Sequence, residues 1–471
     1  MLFTTYQFLV FFFITFIIAI FLKRQVVAYK IFLLVTNLIF YSFWDFSFLA
    51  LLVTTTIVNY LLIQTLFVTN DKQIFLIMGL TFNVGFLGIF KYYNFFTDTL
   101  FNLLNTLHIQ SNLQLLQIIA PVGVSFYTFR IISHLTDCYN QKIDCPSFID
   151  YAVYITYFPQ IASGPIARAK DFYLQLNASD KYDYQIEEAM TLILSGLFKK
   201  YTLSSFLFNF TQLPFLSPQQ YSSIDLILAA ISYSCLIYVD FSGYSDLANG
   251  ISCLLGFKPI PNFNMPYRAL SLQEFWRRWH ISLSEWLRDY VYIPLGGNKN
   301  GKFSKYINLL LTMLIGGFWH GAGLNFIVWG AIHGLGLIVN HLWQDLSKFV
   351  CFTKIPFLSS LAPFFYWVIT FCFITYSWVF FNSSSSESAM IFLSSILHSE
   401  VNTFQFNFWQ LYLAIAIVAL INFYGNQLNK LFLTVLSVRS LLFQVVLVSL
   451  LVYSILMLGP NTVPPFIYFN F

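Results

Sequence analysis

Residues 306–341 read YINLLLTMLIGGFWHGAGLNFIVWGAIHGLGLIVNH, with no Asp, Glu, Lys or Arg among them. A helix needs about 20 such residues to cross the hydrocarbon of a bilayer. Gly316, Gly317, Gly321 and Gly323 bracket Phe318–His320, and glycine lets a backbone break or approach another chain closely. His320 is thereby set at a break in the middle of an apolar run, where the other ionisable side chains are Tyr306, His333 and His341. A break at membrane depth is tolerated only where protein or water covers it, so the segment predicts a site enclosed by other helices.

The same character runs through the rest of the chain. Charge-free stretches at Leu2–Leu22, Phe48–Asn70, Gln73–Phe90, Ile355–Ser386, Val401–Asn429 and Leu441–Leu458 are each near or above spanning length. Further apolar segments lie within 118–165, 186–210, 224–256 and 303–345, interrupted by Gly, Pro, His or Asp. The reading is an all-α polytopic membrane protein of about 11–13 transmembrane or re-entrant helices. It forms one membrane domain over 1–471, with spanning helices at 1–90 and 355–458 flanking a more polar middle. Composition agrees: 58% of residues are hydrophobic and 9% charged, against about 25% charged in soluble chains, which excludes a soluble fold. The 56 Phe, 29 Tyr and 10 Trp suit lipid-facing and interfacial positions.

A net charge of +4, with Lys and Arg scattered through short loops, gives no sign of nucleic-acid binding. The first apolar run exceeds a signal-peptide core and lacks a basic flank before it, so it is expected to be retained. Lys23, Arg24 and Lys30 follow it and place that loop in the cytoplasm. None of the six cysteines forms a CxxC pair, which argues against structural zinc and a disulfide framework; Cys138 and Cys145 are read as free thiols. Ile166–Ala189 carries Arg168, Lys170, Asp171, Asp180, Lys181, Asp183, Glu187 and Glu188, so it is expected in water or at the interface with one amphipathic helix.

Ionisable groups inside a membrane protein are costly and so point to function. The densest cluster is 271–297, SLQEFWRRWHISLSEWLRDYVYIPLGG. On a continuous helix, Leu272, Phe275, Trp276, Trp279, Leu283, Trp286 and Tyr290 share one face, and Arg277, His280, Ser284 and Arg288 gather on another. An interfacial anchor whose arginines meet lipid phosphates would show the same pattern, but His280 suits a buried hydrogen-bonding role better, since imidazole both donates and accepts. His320 is expected in the desolvated, neutral form that a general base needs to take a proton from a hydroxyl, which points to group transfer to an alcohol. No HExxH occurs, and His320 and His333 are separated by the break, which argues against zinc. The segment DFSGYSD at 240–246 adds Asp240, Tyr244 and Asp246. Its carboxylates need partners, with Arg277, Arg278 and Arg288 as candidates. They read either as a structural pair or as the coupling site of an ion-driven transporter, although the inverted repeat common in transporters is missing.

Five strings, PVGVSFYTFR (121–130), YFPQIASGPIAR (157–168), DFSGYSDLANGI (240–251), NFNMPYRALSLQEFWRRWHISLSEWLRDYVYIPLGGN (262–298) and GGFWHGAGLNFIVWGAIHG (316–334), occur in an order and spacing that resembles the membrane-bound O-acyltransferases, over about 118–336. The resemblance is to the alginate and peptidoglycan O-acetyltransferase branch, with D-alanyl transfer to teichoic acid more distant. It implies helices around a central tunnel, with His320 of the WHG string as the catalytic residue and His280 as its partner. His333 is a weaker carry-over, and Asp240, Tyr244, Asp246, Trp276, Arg277, Arg288 and Trp319 would line or support the tunnel. It also implies no bound cofactor, acetyl-CoA or another acyl donor as substrate, and a bacterial inner-membrane location. An extracytoplasmic serine-hydrolase-like acetyltransferase partner and a polysaccharide acceptor complete the expected system. Arg130 and His134, in RIISHL, depart from the usual string near QSISYL, which bears on acceptor identity.

Overall fold

The computed structural model describes residues 1, 3–109, 116–178, 186–347, 356–401, 403–406, 408–437, 440–460 and 464–470. Among the described residues there is helix and loop and no strand. The helices are α1 (Tyr6–Leu22), α2 (Val26–Ser42), α3 (Phe46–Val68), α4 (Lys72–Leu87), α5 (Tyr93–Thr106), α6 (Val124–Tyr139), α7 (Phe148–Thr156), α8 (Phe158–Ile161), α9 (Ala169–Asn177) and α10 (Ile186–Leu197). They continue as α11 (Ser205–Phe208), α12 (Gln212–Leu216), α13 (Ser223–Leu254), α14 (Leu272–Arg278), α15 (Ile281–Leu287), α16 (Gly301–His320), α17 (Leu324–Ser347), α18 (Pro356–Asn382), α19 (Ser386–His398), α20 (Trp409–Ser437) and α21 (Leu441–Leu458). Short π-helical turns at Gly88–Tyr92, Phe198–Ser204 and Arg288–Tyr292 interrupt this series.

Seven helical stretches among the described residues are long and apolar enough to cross a membrane: Phe46–Val68, Lys72–Thr106, Ser223–Leu254, Leu324–Ser347, Ser360–Asn382, Trp409–Ser437 and Leu441–Leu458. Two shorter apolar helices, α1 and α2, precede them. The chain is a multi-pass membrane protein. Apart from α6, α10 and α16, the remaining helices of the middle region are short pieces separated by turns, as expected where a wet or reactive interior must be lined with irregular backbone.

The chain divides into two compact units, Met1–Ala189 with Ala248–Ile260, and Met190–Leu247 with Pro261–Phe471. In the first unit, polar side chains buried in an apolar setting find one another. The amides of Asn59 on α3 and Asn83 on α4 exchange hydrogen bonds of 3.2 and 2.6 Å. Asn37 on α2 donates to Thr156 Oγ1 at 3.2 Å and accepts from the Phe158 amide at 3.0 Å. Arg130, fully buried on α6, donates to the Tyr154 carbonyl and to Gln160 and lies over the Tyr154 ring. His134 meets the Tyr173 hydroxyl at 2.9 Å. The two polar positions that depart from the resemblance are thus absorbed into this unit's packing.

The polar stretch Ile166–Ala189 contributes α9, with Lys170 and Asp171 exposed; Asp180, Lys181 and Asp183 lie outside the described residues, as does Cys351. Cys138 is buried, Cys145 exposed, and both are free thiols.

In the second unit the dominant packing is the hairpin of α16 and α17. Gly330 and Gly334 are four apart on α17, the small-xxx-small spacing that lets membrane helices approach closely. A methyl group added at Gly330 would stand 2.4 Å from the Met313 carbonyl oxygen, and one at Gly317 only 2.3 Å from that of Phe326. Backbone contact at this distance fixes the height of His320, the last residue of α16, against α17. Gly330→Ala and Gly317→Ala are expected to cost about 1–3 kcal/mol through overpacking and to lower the melting temperature in detergent. Gly425→Ala on α20, where nothing lies within 4 Å, should leave it unchanged or raise it.

Candidate active site

The helix anticipated over 271–290 is broken. Ser271 caps α14 by accepting from the Glu274 amide at 3.2 Å, and α14 ends at Arg278. His280 then takes a left-handed backbone conformation, φ 41° and ψ 55°, before α15 begins at Ile281. A non-glycine residue held there costs of order 1–3 kcal/mol and persists only when its surroundings impose it. Asn262 imposes it. The Asn262 carbonyl accepts from the Ile281 amide at 2.9 Å, and its side-chain Oδ1 accepts from Ser282 N at 3.3 Å and Ser282 Oγ at 2.9 Å. The same oxygen lies 3.1 Å from His280 Nδ1.

The break redistributes the predicted faces. His280 is fully buried, whereas Arg277 and Arg288 are exposed, Arg288 pairing with Asp289 at 2.7 Å. Arg288 also lines a cavity of about 360 Å³ together with Lys305, His341, Ser284 and Trp276.

The tautomer of His280 follows from its neighbours. A carboxamide oxygen only accepts, so Nδ1 carries the proton and Nε2 presents a lone pair. Nε2 is buried and has no hydrogen-bond partner among the described residues. The two histidines are bridged by aromatic rings: Trp319 lies 6.3 Å from the His280 ring centroid and 5.0 Å from that of His320. A second path runs from His280 through Phe241 at 4.6 Å, then Tyr468 at 4.6 Å, to His320 at 5.5 Å. Trp329 and Phe381 complete the wall of His320 at 5.0 and 5.2 Å, both edge-on. His320 is only 3% exposed. The chamber is a basic imidazole pair in an aromatic enclosure, able to move a proton while keeping bulk water away.

His333 stands apart from the pair. Its Nε2 lies 3.0 Å from Ser377 Oγ, which itself donates to the Ile374 carbonyl at 2.7 Å, so His333 is the donor to Ser377. Trp276 and Trp329 flank it at 5.2 and 4.6 Å. Its surroundings give it a bracing role behind Trp329.

The carboxylates of 240–246 pair with lysines in place of the anticipated arginines. Lys199 reaches Asp246 at 2.7 Å and Lys200 reaches Asp240 at 2.5 Å. Both lysines sit in the π-helical turn Phe198–Ser204, packed so tightly on α13 that a methyl group at Gly243 would lie 3.0 Å from the Lys200 amide nitrogen. Removing one partner of so buried a pair costs about 3–5 kcal/mol. Both acids are held in ion pairs, which favours the structural reading over ion coupling. Tyr244 stacks on Phe466 at 4.6 Å.

Participants that escaped the sequence reading include Asn262, Lys199, Lys200, Phe381 and Tyr468. The lysine doublet inside the apolar stretch 186–210 was a usable signal, because charge within a spanning region needs a reason. Asn262 opens the string at 262–298 but nothing local gives it a role, and nothing local marks Tyr468. Replacing Asn262 with Leu leaves the His280 Nδ1–H and both Ser282 donors without this acceptor, at about 1–3 kcal/mol for each orphaned donor. The melting temperature in detergent is expected to drop by several degrees, and Asn262→Asp, which keeps an accepting oxygen, should recover most of it.

The membrane-bound O-acyltransferase (MBOAT) family model matches residues 38–386. The chain is similar to a protein of Pseudomonas putida named probable alginate O-acetylase, 35% identical over 468 residues that cover 93% of this chain and 94% of the relative. It is also similar to the peptidoglycan O-acetyltransferase of Helicobacter pylori, 37% identical over 399 residues, 78% of this chain and 73% of the relative. A teichoic acid D-alanyltransferase of Streptococcus thermophilus is 31% identical over 48% of this chain and 58% of its own length. With the family model matching most of its length and relatives of 35–37% identity over most of it, the chain is a member of the membrane-bound O-acyltransferase family.

Proposed function

We propose that this protein transfers an acetyl group from a cytoplasmic donor, acetyl-CoA, across the bacterial inner membrane for O-acetylation of a secreted or cell-envelope polysaccharide. The observation that carries the reading is the enclosure of His320 by Trp319, Trp329, Phe381 and Tyr468, with His280 across Trp319. A base in such a chamber takes the proton of an attacking hydroxyl. The hydroxyl oxygen bonds to the thioester carbonyl carbon, the carbon–sulfur bond breaks, and the thiol leaves with the proton. Transfer through an acyl-His320 intermediate would use the same groups in two steps. The aromatic walls favour transfer to a hydroxyl over hydrolysis by excluding water. Arg288 and Lys305, in the cavity beside Trp276, are cations suited to the phosphates of coenzyme A.

The acetylated product would pass to an extracytoplasmic serine-hydrolase-like acetyltransferase that completes modification of the polymer. Acetyl is favoured over D-alanyl because the alginate O-acetylase relative spans 93% of the chain and the D-alanyltransferase 48%.

The test is the acetyl content of envelope and secreted polysaccharides, by proton NMR, in cells lacking the protein and in cells restored with native chain or His320→Ala. Loss in the deletion and in His320→Ala, with rescue by the native chain, is expected. The substitution should lower transfer at least ~100-fold, the scale of a lost general base. Full O-acetylation in His320→Ala cells with the protein still in the membrane overturns the reading.

A further inference from the structure

A short strap, residues 464–468, crosses the chamber of the second unit, and its seat is electrostatic. The Lys200 ammonium has three N–H donors. It uses them on Asp240 Oδ1 at 2.5 Å, the Pro464 carbonyl at 3.1 Å and the Pro465 carbonyl at 3.4 Å. Asp240 completes the arrangement: Oδ1 also accepts from Ser204 Oγ at 2.6 Å, and Oδ2 accepts from the Ile467 amide at 3.0 Å. The cation therefore grips two carbonyls of the strap and the anion grips an amide three residues after the first of them.

Beyond this grip the strap inserts two rings. Phe466 stacks on Tyr244, with Lys200 Nζ 5.8 Å from its centroid. Tyr468 reaches Phe241 and forms one wall of His320. A buried ion pair is a poor source of stability compared with apolar packing, and its best-attested use is to specify one register. Here the register specified is that of the strap over the histidines.

We infer that the Lys200–Asp240 pair is a clasp whose function is to seat residues 464–468 as a wall of the reaction chamber, making both residues positioning residues for acyl transfer. The inference rests on the reading of the chamber as the acyl-transfer site. Without the clasp, the carbonyls of Pro464 and Pro465 and the amide of Ile467 lose their partners together. The Tyr468 wall then opens to water.

The experiment joins a readout of strap position to one of activity. Ile467→Cys, half-buried in the strap, is labelled with a maleimide in membranes and its rate is followed by mass spectrometry at that position, so native cysteines do not interfere. It is combined with the double change Lys200→Met with Asp240→Leu, which removes both charges and the acceptor of the Ile467 amide and leaves neither charge buried alone. The expected result is at least fivefold faster labelling and at least tenfold lower O-acetyl content than the Ile467→Cys chain alone, at equal protein level. Lys200→Arg, which keeps the donors, should retain more than half of the O-acetylation. Unchanged labelling in the double variant overturns the clasp, and faster labelling with full O-acetylation overturns its role in the reaction. Deleting residues 464–471, which leaves Lys200 and Asp240 in place, should cause the same loss of O-acetylation from an independent lesion. Retained O-acetylation there also overturns the inference. If the chain proves not to acylate at all, the labelling rates still report whether the pair holds the strap, so the two readings fail separately.

Discussion

In a bilayer every polar group needs its partner inside the protein, because hydrocarbon offers none. Here that constraint explains most of what departs from regular helix. The break at His280 survives because Asn262 receives the donors it frees. The end of α16 at His320 is packed by rings from four directions. The lysine doublet is neutralised by two carboxylates on a facing helix. At each of these three places the electrostatic cost of departing from regular helix is met locally.

The two histidines are equipped differently. His280 has its proton fixed on Nδ1 by an acceptor that is itself anchored to the backbone on the other side of the break, so its free nitrogen has a defined direction. His320 is framed by aromatic surface, which sets its position through the height of α16 on α17 and therefore through the glycines between them. His280 is oriented by hydrogen bonding to Asn262, and packed rings surround His320. Proton transfer between a substrate and such a pair needs both kinds of precision.

Much of this was legible in the chain. Some apolar runs located spanning helices closely: 441–458 coincides with α21, and 48–70 lies within two residues of α3 at either end, whereas 401–429 is displaced by eight residues from α20 and 73–90 stops short of the stretch that continues to Thr106. The glycines at 321 and 323 marked the turn between α16 and α17, His320 stood out as an imidazole in an apolar stretch, and the family resemblance set His280 beside it; both are buried. The helical wheel over 271–290 misled, since it assumes unbroken geometry and the break depends on Asn262, which lies outside that helix and meets His280 only in the folded chain. The same limit hid the partners of Asp240 and Asp246. Local pattern can show that a charge must be paired, while the choice between the arginines at 277–288 and the lysines at 199–200 is made by how α13 packs on the π-helical turn.

That turn has a consequence for how the sequence can change. Within Phe198–Ser204 the extra residue of a π-helix lets two adjacent lysines face acids six positions apart on α13. Deleting one residue there would replace the wide π-helical turn by ordinary α-helix, whose tighter winding would shift Lys199 and Lys200 relative to α13. At least one ammonium would then leave its carboxylate. The segment is therefore tolerant of conservative substitution and intolerant of a change in length, and its length should drift far less among descendants of this chain than that of the loops around it.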